Sequence, residues 1–165
     1  MNGIFLLLGT NLGNRLENLQ KAKDILEAYE ITIVDYSSIV ESAPWGEGNQ
    51  GWFLNMILRI DTIHEPESLL EACMKVEQQM GRQRIKKWGE RIIDVDILYY
   101  HNLVQESKTL TLPHPGIQMR RFTLMPLVEI APLEIHPLLN QSHQALLDIC
   151  PDPLVCHTTS LQISI

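Results

Sequence analysis

The stretch IIDVDILYY at residues 92–100 decides the fold. Its β-branched and aromatic residues, unbroken by glycine or proline, predict the strongest strand of the chain. Just upstream lies a helix. Pro66 suits a first helical turn, Leu69, Leu70, Cys73, Val76 and Met80 give one apolar face, and Gly81 falls just past the end. Further back, FLNMILRI at residues 53–60 and ITIVDYSSIV at residues 31–40 predict two more strands. IFLLLG at residues 4–9 is continuously apolar, as a central strand buried on both faces requires. Asn14 and Glu17 resemble a capping box, and Leu16, Leu19, Ala22, Leu26 and Tyr29 form one helical stripe reaching about residue 30. Strand-helix-strand-strand-helix-strand is the ferredoxin-like βαββαβ pattern. The predicted class is therefore α+β, with a mainly antiparallel sheet and helices packed on it.

Downstream, residues 110–112 predict a short strand before Pro113 and Pro115, and residues 121–129 and 142–149 two short helices. The tail from Pro151 has no strong periodicity. With no repeat, low-complexity tract or linker, residues 1–165 read as a single domain, with its core at about 3–150 and a tail at 151–165.

Hydrophobic residues make up 45% of the chain and charged residues 20%, a globular composition and not a disordered one. The N-terminal apolar run at residues 4–8 is too short to span a membrane, and no cleavable signal surrounds it. The expected compartment is the cytoplasm, with no membrane partner. Cys73, Cys150 and Cys156 form no CxxC pair and no cluster with histidine, which argues against a disulfide framework or a structural zinc. A net charge of −7 opposes a general nucleic-acid surface. Yet residues 82–91 hold Arg82, Arg84, Lys86, Lys87 and Arg91 against Glu90 alone. Such a basic island in an acidic chain reads first as a solvated loop, and also fits a compact polyanion such as a nucleotide triphosphate.

Asp94 and Asp96 sit two apart in an apolar strand, so both carboxylates share one face, their Cα atoms roughly 6–7 Å apart. Two like charges there repel unless a cation or donors lie between them. Mg²⁺ uses one or two carboxylates plus substrate phosphates, which suits this pair, although an Asp-x-Asp also fits an edge strand with a solvated face. Arg82, Arg84 and Arg91 offer forked donors for phosphate oxygens, and Trp88 among them reads as a stacking platform or a loop anchor. The turn GTNLGNR at residues 9–15 follows a strand and precedes a helix but lacks both glycine spacings of the nucleotide-binding loops. Phe53 and Asn55 share a strand face, an aromatic plane beside an amide, which suits a flat heterocycle or a core phenylalanine with a turn-closing asparagine. His114, between Pro113 and Pro115, is held extended and reads as a phosphate contact, a proton shuttle or a loop histidine.

Taken in order from residue 4 to about residue 132, GTNLGNR, SAPWG, FLN, GRQRIKKWGERIIDVDIL, LPHP and RRFTLMPLVEIAP resemble the 6-hydroxymethyl-7,8-dihydropterin pyrophosphokinase family of the folate pathway. The resemblance implies transfer of the β,γ-pyrophosphoryl group of ATP to the pterin hydroxymethyl oxygen, leaving AMP. It implies two Mg²⁺ ions on Asp94 and Asp96, with Arg82 and Arg91 also catalytic. Arg82, Arg84, Arg91, His114 and Arg120 would contact phosphates, and Ile97, Leu110 and Thr111 would form the adenine side. Ser42, Ala43, Pro44 and Trp45 would meet the pterin edge, Asn55 would hydrogen-bond it, and Phe53 and Phe122 would stack on its faces beside Asp94. Trp88 would close over ATP and pterin alike on a lid at residues 81–91, with a second lid at 47–51. Partners are these two small molecules, and a monomer is expected.

The sequence departs from the family at Met74, where a Gln is frequent, at Thr109, where an Arg is expected, and at Pro115, where some members carry an aromatic hydroxyl. Glu77 fits a family position with an orienting or structural role. A nucleotidyltransferase would share the glycine turn and the Asp pair but attack the α-phosphorus. An RNA-binding module is opposed by the charge and by the missing aromatic strand.

Overall fold

The computed structural model describes residues 3–45, 50–82 and 89–164. In chain order, β1 (Ile4–Thr10), α1 (Arg15–Ala28), β2 (Ile31–Tyr36), β3 (Val40–Ser42) and β4 (Phe53–Thr62) form the first half. The second half holds α2 (Pro66–Gln79), β5 (Asp94–Tyr100), β6 (Gln105–Glu106), β7 (Thr111–Leu112), α3 (Arg121–Ile130), α4 (His143–Asp148) and β8 (Cys156–Thr158). The main sheet runs β5-β1-β4-β3-β8, with β2 also on β4, and every pairing is antiparallel. This is the ferredoxin-like order, with its second strand divided into β2 and β3. No described helix is long and apolar enough to cross a membrane.

Why the sheet is covered on both sides follows from β1, all seven of whose residues are buried. Leu6 and Leu8 pack with Leu58 and Val95 against Leu19 and Leu26 of α1 and Val76 of α2. Phe5 and Leu7 point the other way, onto Leu124 and Leu127 of α3 and Leu146 of α4. Two helices on each face make three layers around two cores, and each fully buried leucine contributes about 1.5–3 kcal/mol.

Local details depart from the predicted boundaries. The Asn14 side chain accepts from the Glu17 N–H at 3.3 Å, but the Glu17 carboxylate bonds the Asn14 side-chain amide (3.1 Å) and not its backbone. Helix α1 ends at Ala28, and Glu30 turns into β2 with φ +59. The strand predicted over residues 31–40 is split. The Ser37 hydroxyl accepts from the Ile57 N–H (2.9 Å) while the Ser37 N–H donates to the Ile57 carbonyl (3.0 Å), so one side chain fills a ladder position. Register along β4 shifts between Ile33 and Asp35, and Tyr36 faces Leu58 whereas Val40 faces Asn55. Strand β5 begins at Asp94 and not at residue 92. The tail read as aperiodic supplies β8, which extends the sheet beyond β3.

Candidate active site

Edge strand β5 carries Asp94 opposite Gly9 and Asp96 opposite Leu7 of β1, so both carboxylates leave the sheet on the face away from α1 and α2. Helix α2 ends in a turn that delivers Arg82 to them. Gly81, at φ +79, lets its N–H reach the Gln78 carbonyl and the Arg82 N–H reach the Glu77 carbonyl, both at 3.0 Å. The Arg82 guanidinium then pairs with both Glu77 and Asp94. Arg91 pairs with the second oxygen of Asp94 and lies 5.5 Å over the ring of Phe53. Glu77 is buried and accepts the Val95 N–H at 3.0 Å, satisfying a backbone donor of the edge strand between the two aspartates. The Asn11 side chain ties neighbouring segments together. It accepts from the Arg91 N–H (2.8 Å) and donates to Gln50 Oε1 (3.1 Å) and the Gly51 carbonyl (3.2 Å).

A second group lies beside the first. Asn55 donates its amide to the Ser42 hydroxyl at 3.0 Å. A Cβ on Gly9 would come within 3.0 Å of Asn55 Oδ1, so glycine there leaves the amide its place. Trp45 and Phe122 meet edge to face, centroids 6.5 Å apart, and the Arg120 guanidinium sits 6.0 Å and 5.9 Å from their rings. His114 donates its N–H to the Leu98 carbonyl at 2.9 Å, and its Nδ1 accepts the Gly116 N–H at 3.0 Å, which assigns the ring proton to Nε2.

These side chains surround a cavity of about 470 Å³. Arg82, Arg91, Asp94, Asp96, His114 and Arg120 line it together with Ser42, Trp45, Phe53, Asn55 and Phe122, while Leu70 and Met74 of α2 add apolar surface. A wider, shallower depression of about 770 Å³ beside residues 130–137 is lined by one charged group, Glu134. Chemistry therefore points to the first.

Electrostatics divide the two aspartates. Burial pulls Asp94 upward, but Arg82 and Arg91 outweigh it and hold its carboxyl below the usual range. Asp96 is pushed up to about 7, by burial first and then by the Asp94 charge. Among the described residues the Asp96 carboxylate has neither a hydrogen bond nor an ion pair. A desolvated carboxylate beside a second one, facing a cavity, fits a hard divalent cation. No group of three histidine, cysteine or carboxylate ligands exists among the described residues. Burial and Arg120 bring His114 down to about 4, so it is neutral near pH 7.

Some sequence-predicted residues stand elsewhere. Ala43 and Pro44 adjoin the cavity segment without lining it. Ile97 and Leu110 are buried in the core shared with α1 and α2, and Thr111 is exposed on the small β6-β7 ribbon. Arg84 and Trp88 lie outside the described residues, as do Lys86, Lys87 and most of both expected lids. Sequence reasoning missed Leu7 and Leu70 as lining residues and the Asn11–Gln50 link. Leu7 was hidden in a uniformly apolar strand, and nothing local to Gln50 marks it.

Fold and site define a class: a small α+β protein with one cavity that sets three arginines and two aspartates beside aromatic rings and a buried amide. Residues 5–132 match the family model of 7,8-dihydro-6-hydroxymethylpterin-pyrophosphokinase (HPPK), and the chain belongs to this family. It is 43% identical over 138 residues to 2-amino-4-hydroxy-6-hydroxymethyldihydropteridine pyrophosphokinase of Aquifex aeolicus, covering 84% of this chain and 86% of that protein. The protein of the same name from Bacillus subtilis is 39% identical over 132 residues, 79% of each chain. Folic acid synthesis protein fol1 of Schizosaccharomyces pombe is 40% identical over 148 residues, 89% of this chain, which spans only 20% of that protein. Among solved structures, an HPPK-DHPS crystal structure superimposes with a TM-score of 0.71 at 13% identity, covering 90% of this chain and 43% of the other, a likeness of fold. The activity is that of the family, pyrophosphoryl transfer to hydroxymethyldihydropterin in folate biosynthesis.

Proposed function

We propose that ATP is the pyrophosphoryl donor here, that Mg²⁺ serves the reaction, and that the pterin hydroxymethyl oxygen attacks the β-phosphorus. The bond from that phosphorus to the bridging oxygen of AMP then breaks. One juxtaposition carries the reading: Asp94 and Asp96 face the same cavity as Phe53, Asn55 and Phe122, with Arg82, Arg91 and Arg120 around them. When bound, two Mg²⁺ ions on the aspartates would supply charge neutralisation and hold the polyphosphate in line.

The remaining roles belong to the side chains. Phosphate oxygens are stronger partners for Arg82 and Arg91 than a shared carboxylate, so the nucleotide draws these guanidiniums off Asp94 and frees it to ligate. Neutral His114 offers its Nε2–H to a phosphate oxygen, and Arg120 adds charge beside it. The Asn55 amide, held by Ser42, reads the donor and acceptor edge of the pterin, and Phe53 and Phe122 supply ring faces. Leu70 and Met74 give the nucleotide base an apolar neighbour. Catalysis then rests on positioning and charge complementarity. Lining residues come from both halves of the chain, which supports one catalytic domain over residues 1–165.

Incubation with ATP, Mg²⁺ and 6-hydroxymethyl-7,8-dihydropterin, followed by chromatography, tests this. AMP is expected only when the pterin is present and Mg²⁺ has not been chelated. Free pyrophosphate in place of a diphosphorylated pterin would identify attack at the α-phosphorus, and AMP formed without pterin would remove the acceptor.

A further inference from the structure

The segment after α4, beyond residue 132 where the family match ends, touches both sides of the ring slot. Helix α3 brings Phe122 and Arg120 to the cavity, and its start is electrostatically awkward. Its N-cap residue is Arg120, whose side chain makes no capping bond, and Arg121 follows. Two cations thus sit at the positive end of the helix dipole, and a guanidinium has no acceptor to offer the free N–H groups. Asp152 supplies the missing acceptor from thirty residues downstream. Asp152 is 4% exposed. One oxygen accepts the Arg121 N–H at 2.8 Å, and the other accepts the Leu154 N–H at 3.0 Å. Arg121 Nε also donates to the Asp152 carbonyl at 3.4 Å.

The same segment continues to the other side of the slot. The Val155 carbonyl accepts the Ala43 N–H at 2.9 Å, and β8 then pairs Cys156 with Ser42. Ser42 is the residue that holds the Asn55 amide. Residues 152–158 therefore bond the start of α3, with Phe122 and Arg120, and the segment with Ser42, Ala43 and Trp45.

We infer that Asp152 is a positioning residue for pterin binding, the anchor of a strap that fixes the Phe122 wall and the Ser42–Asn55 wall relative to each other. The inference rests on the pterin reading of the cavity. Asp152 touches no substrate. It acts by holding the first turn of α3 and by aligning β8 for its pairing with β3.

The test compares Asp152→Ala and Asp152→Asn with the unaltered chain, measuring KM for pterin and for ATP and amide hydrogen exchange at residues 43 and 121–124. In Asp152→Ala, removal of the cap is expected to raise the pterin KM about tenfold, to leave the ATP KM within about threefold, and to speed exchange at 121–124. Asp152→Asn keeps one oxygen acceptor and the volume, so about a threefold rise in pterin KM is expected, and this variant decides if the alanine form does not fold. Unchanged pterin KM in the variant that folds overturns the inference. So does an equal rise in both KM values, which marks general loosening. If the unaltered chain turns over no pterin, the reaction reading falls on its own. Amide exchange then decides the strap: faster exchange at both 43 and 121–124 supports it, and unchanged exchange overturns it.

Discussion

At Asp96 the demands of binding and of folding pull in opposite directions. Its carboxyl, pushed up to about 7 by burial and by Asp94, has no bonding partner among the described residues. Charging it opposes folding unless a cation is present. Asp96→Ala is therefore expected to lower turnover by about 10³-fold, roughly 4 kcal/mol of transition-state stabilisation, while the thermal midpoint without added metal stays level or rises. Turnover and melting measured on one preparation check both halves. Retention of most activity would remove Asp96 from the ion-binding role. The aspartate pair was legible in the sequence because strand periodicity alone puts alternate residues on one face. Glu77 as a partner of the Val95 amide was not. That contact joins a helix to a strand edge 18 residues away and depends on β5 being the edge.

Elements were legible wherever their signals were local. The Pro66 start and Gly81 end of α2 lie within one residue of their expected places, as does the apolar stripe between them. β8 escaped because three residues cannot declare a period, and its pairing comes from β3, more than a hundred residues earlier. The Ser37 break escaped because a hydroxyl standing in for a backbone group leaves no composition signal. The junction of α2 with β5 makes a quantitative expectation. Glu77→Ala leaves the Val95 N–H and the Arg82 guanidinium short of an acceptor in a buried place. It is expected to cost about 2 kcal/mol, a drop of about 6 °C in thermal midpoint, with Glu77→Gln recovering about half. Scanning calorimetry of the two variants checks this, and equal midpoints for Ala and Gln would show that the Val95 bond contributes nothing.

Across the whole molecule, the two cores differ in their response to acid. The core under α3 and α4 contains His143, fully buried, its Nδ1 bonded to the Ala131 carbonyl at 2.7 Å and its ring 5.3 Å from that of Tyr99. Burial holds this histidine down to about 4. Its unfolded-state value is about 6.5, so between those values the unfolded chain binds the extra proton. The share of stability that His143 contributes is therefore complete above about pH 6.5 and is lost as the pH falls toward 4, by about 3 kcal/mol. Urea unfolding at pH 7.5 and pH 4 is expected to show that loss, reduced in His143→Gln, and an identical loss in the variant would place the acid sensitivity elsewhere. The order in which the chain is made gives β8 another significance. The strands β1, β4 and β5 and the helices α1 and α2 are all complete once residue 100 has left the ribosome, whereas the contacts of residues 152–158 come much later. A growing chain can thus have its first core in place while Phe5, Leu7 and Tyr99 still wait for α3 and α4, and the ring slot is not yet closed. A chain halted in that interval would leave the apolar face of the sheet that α3 and α4 cover open to other chains.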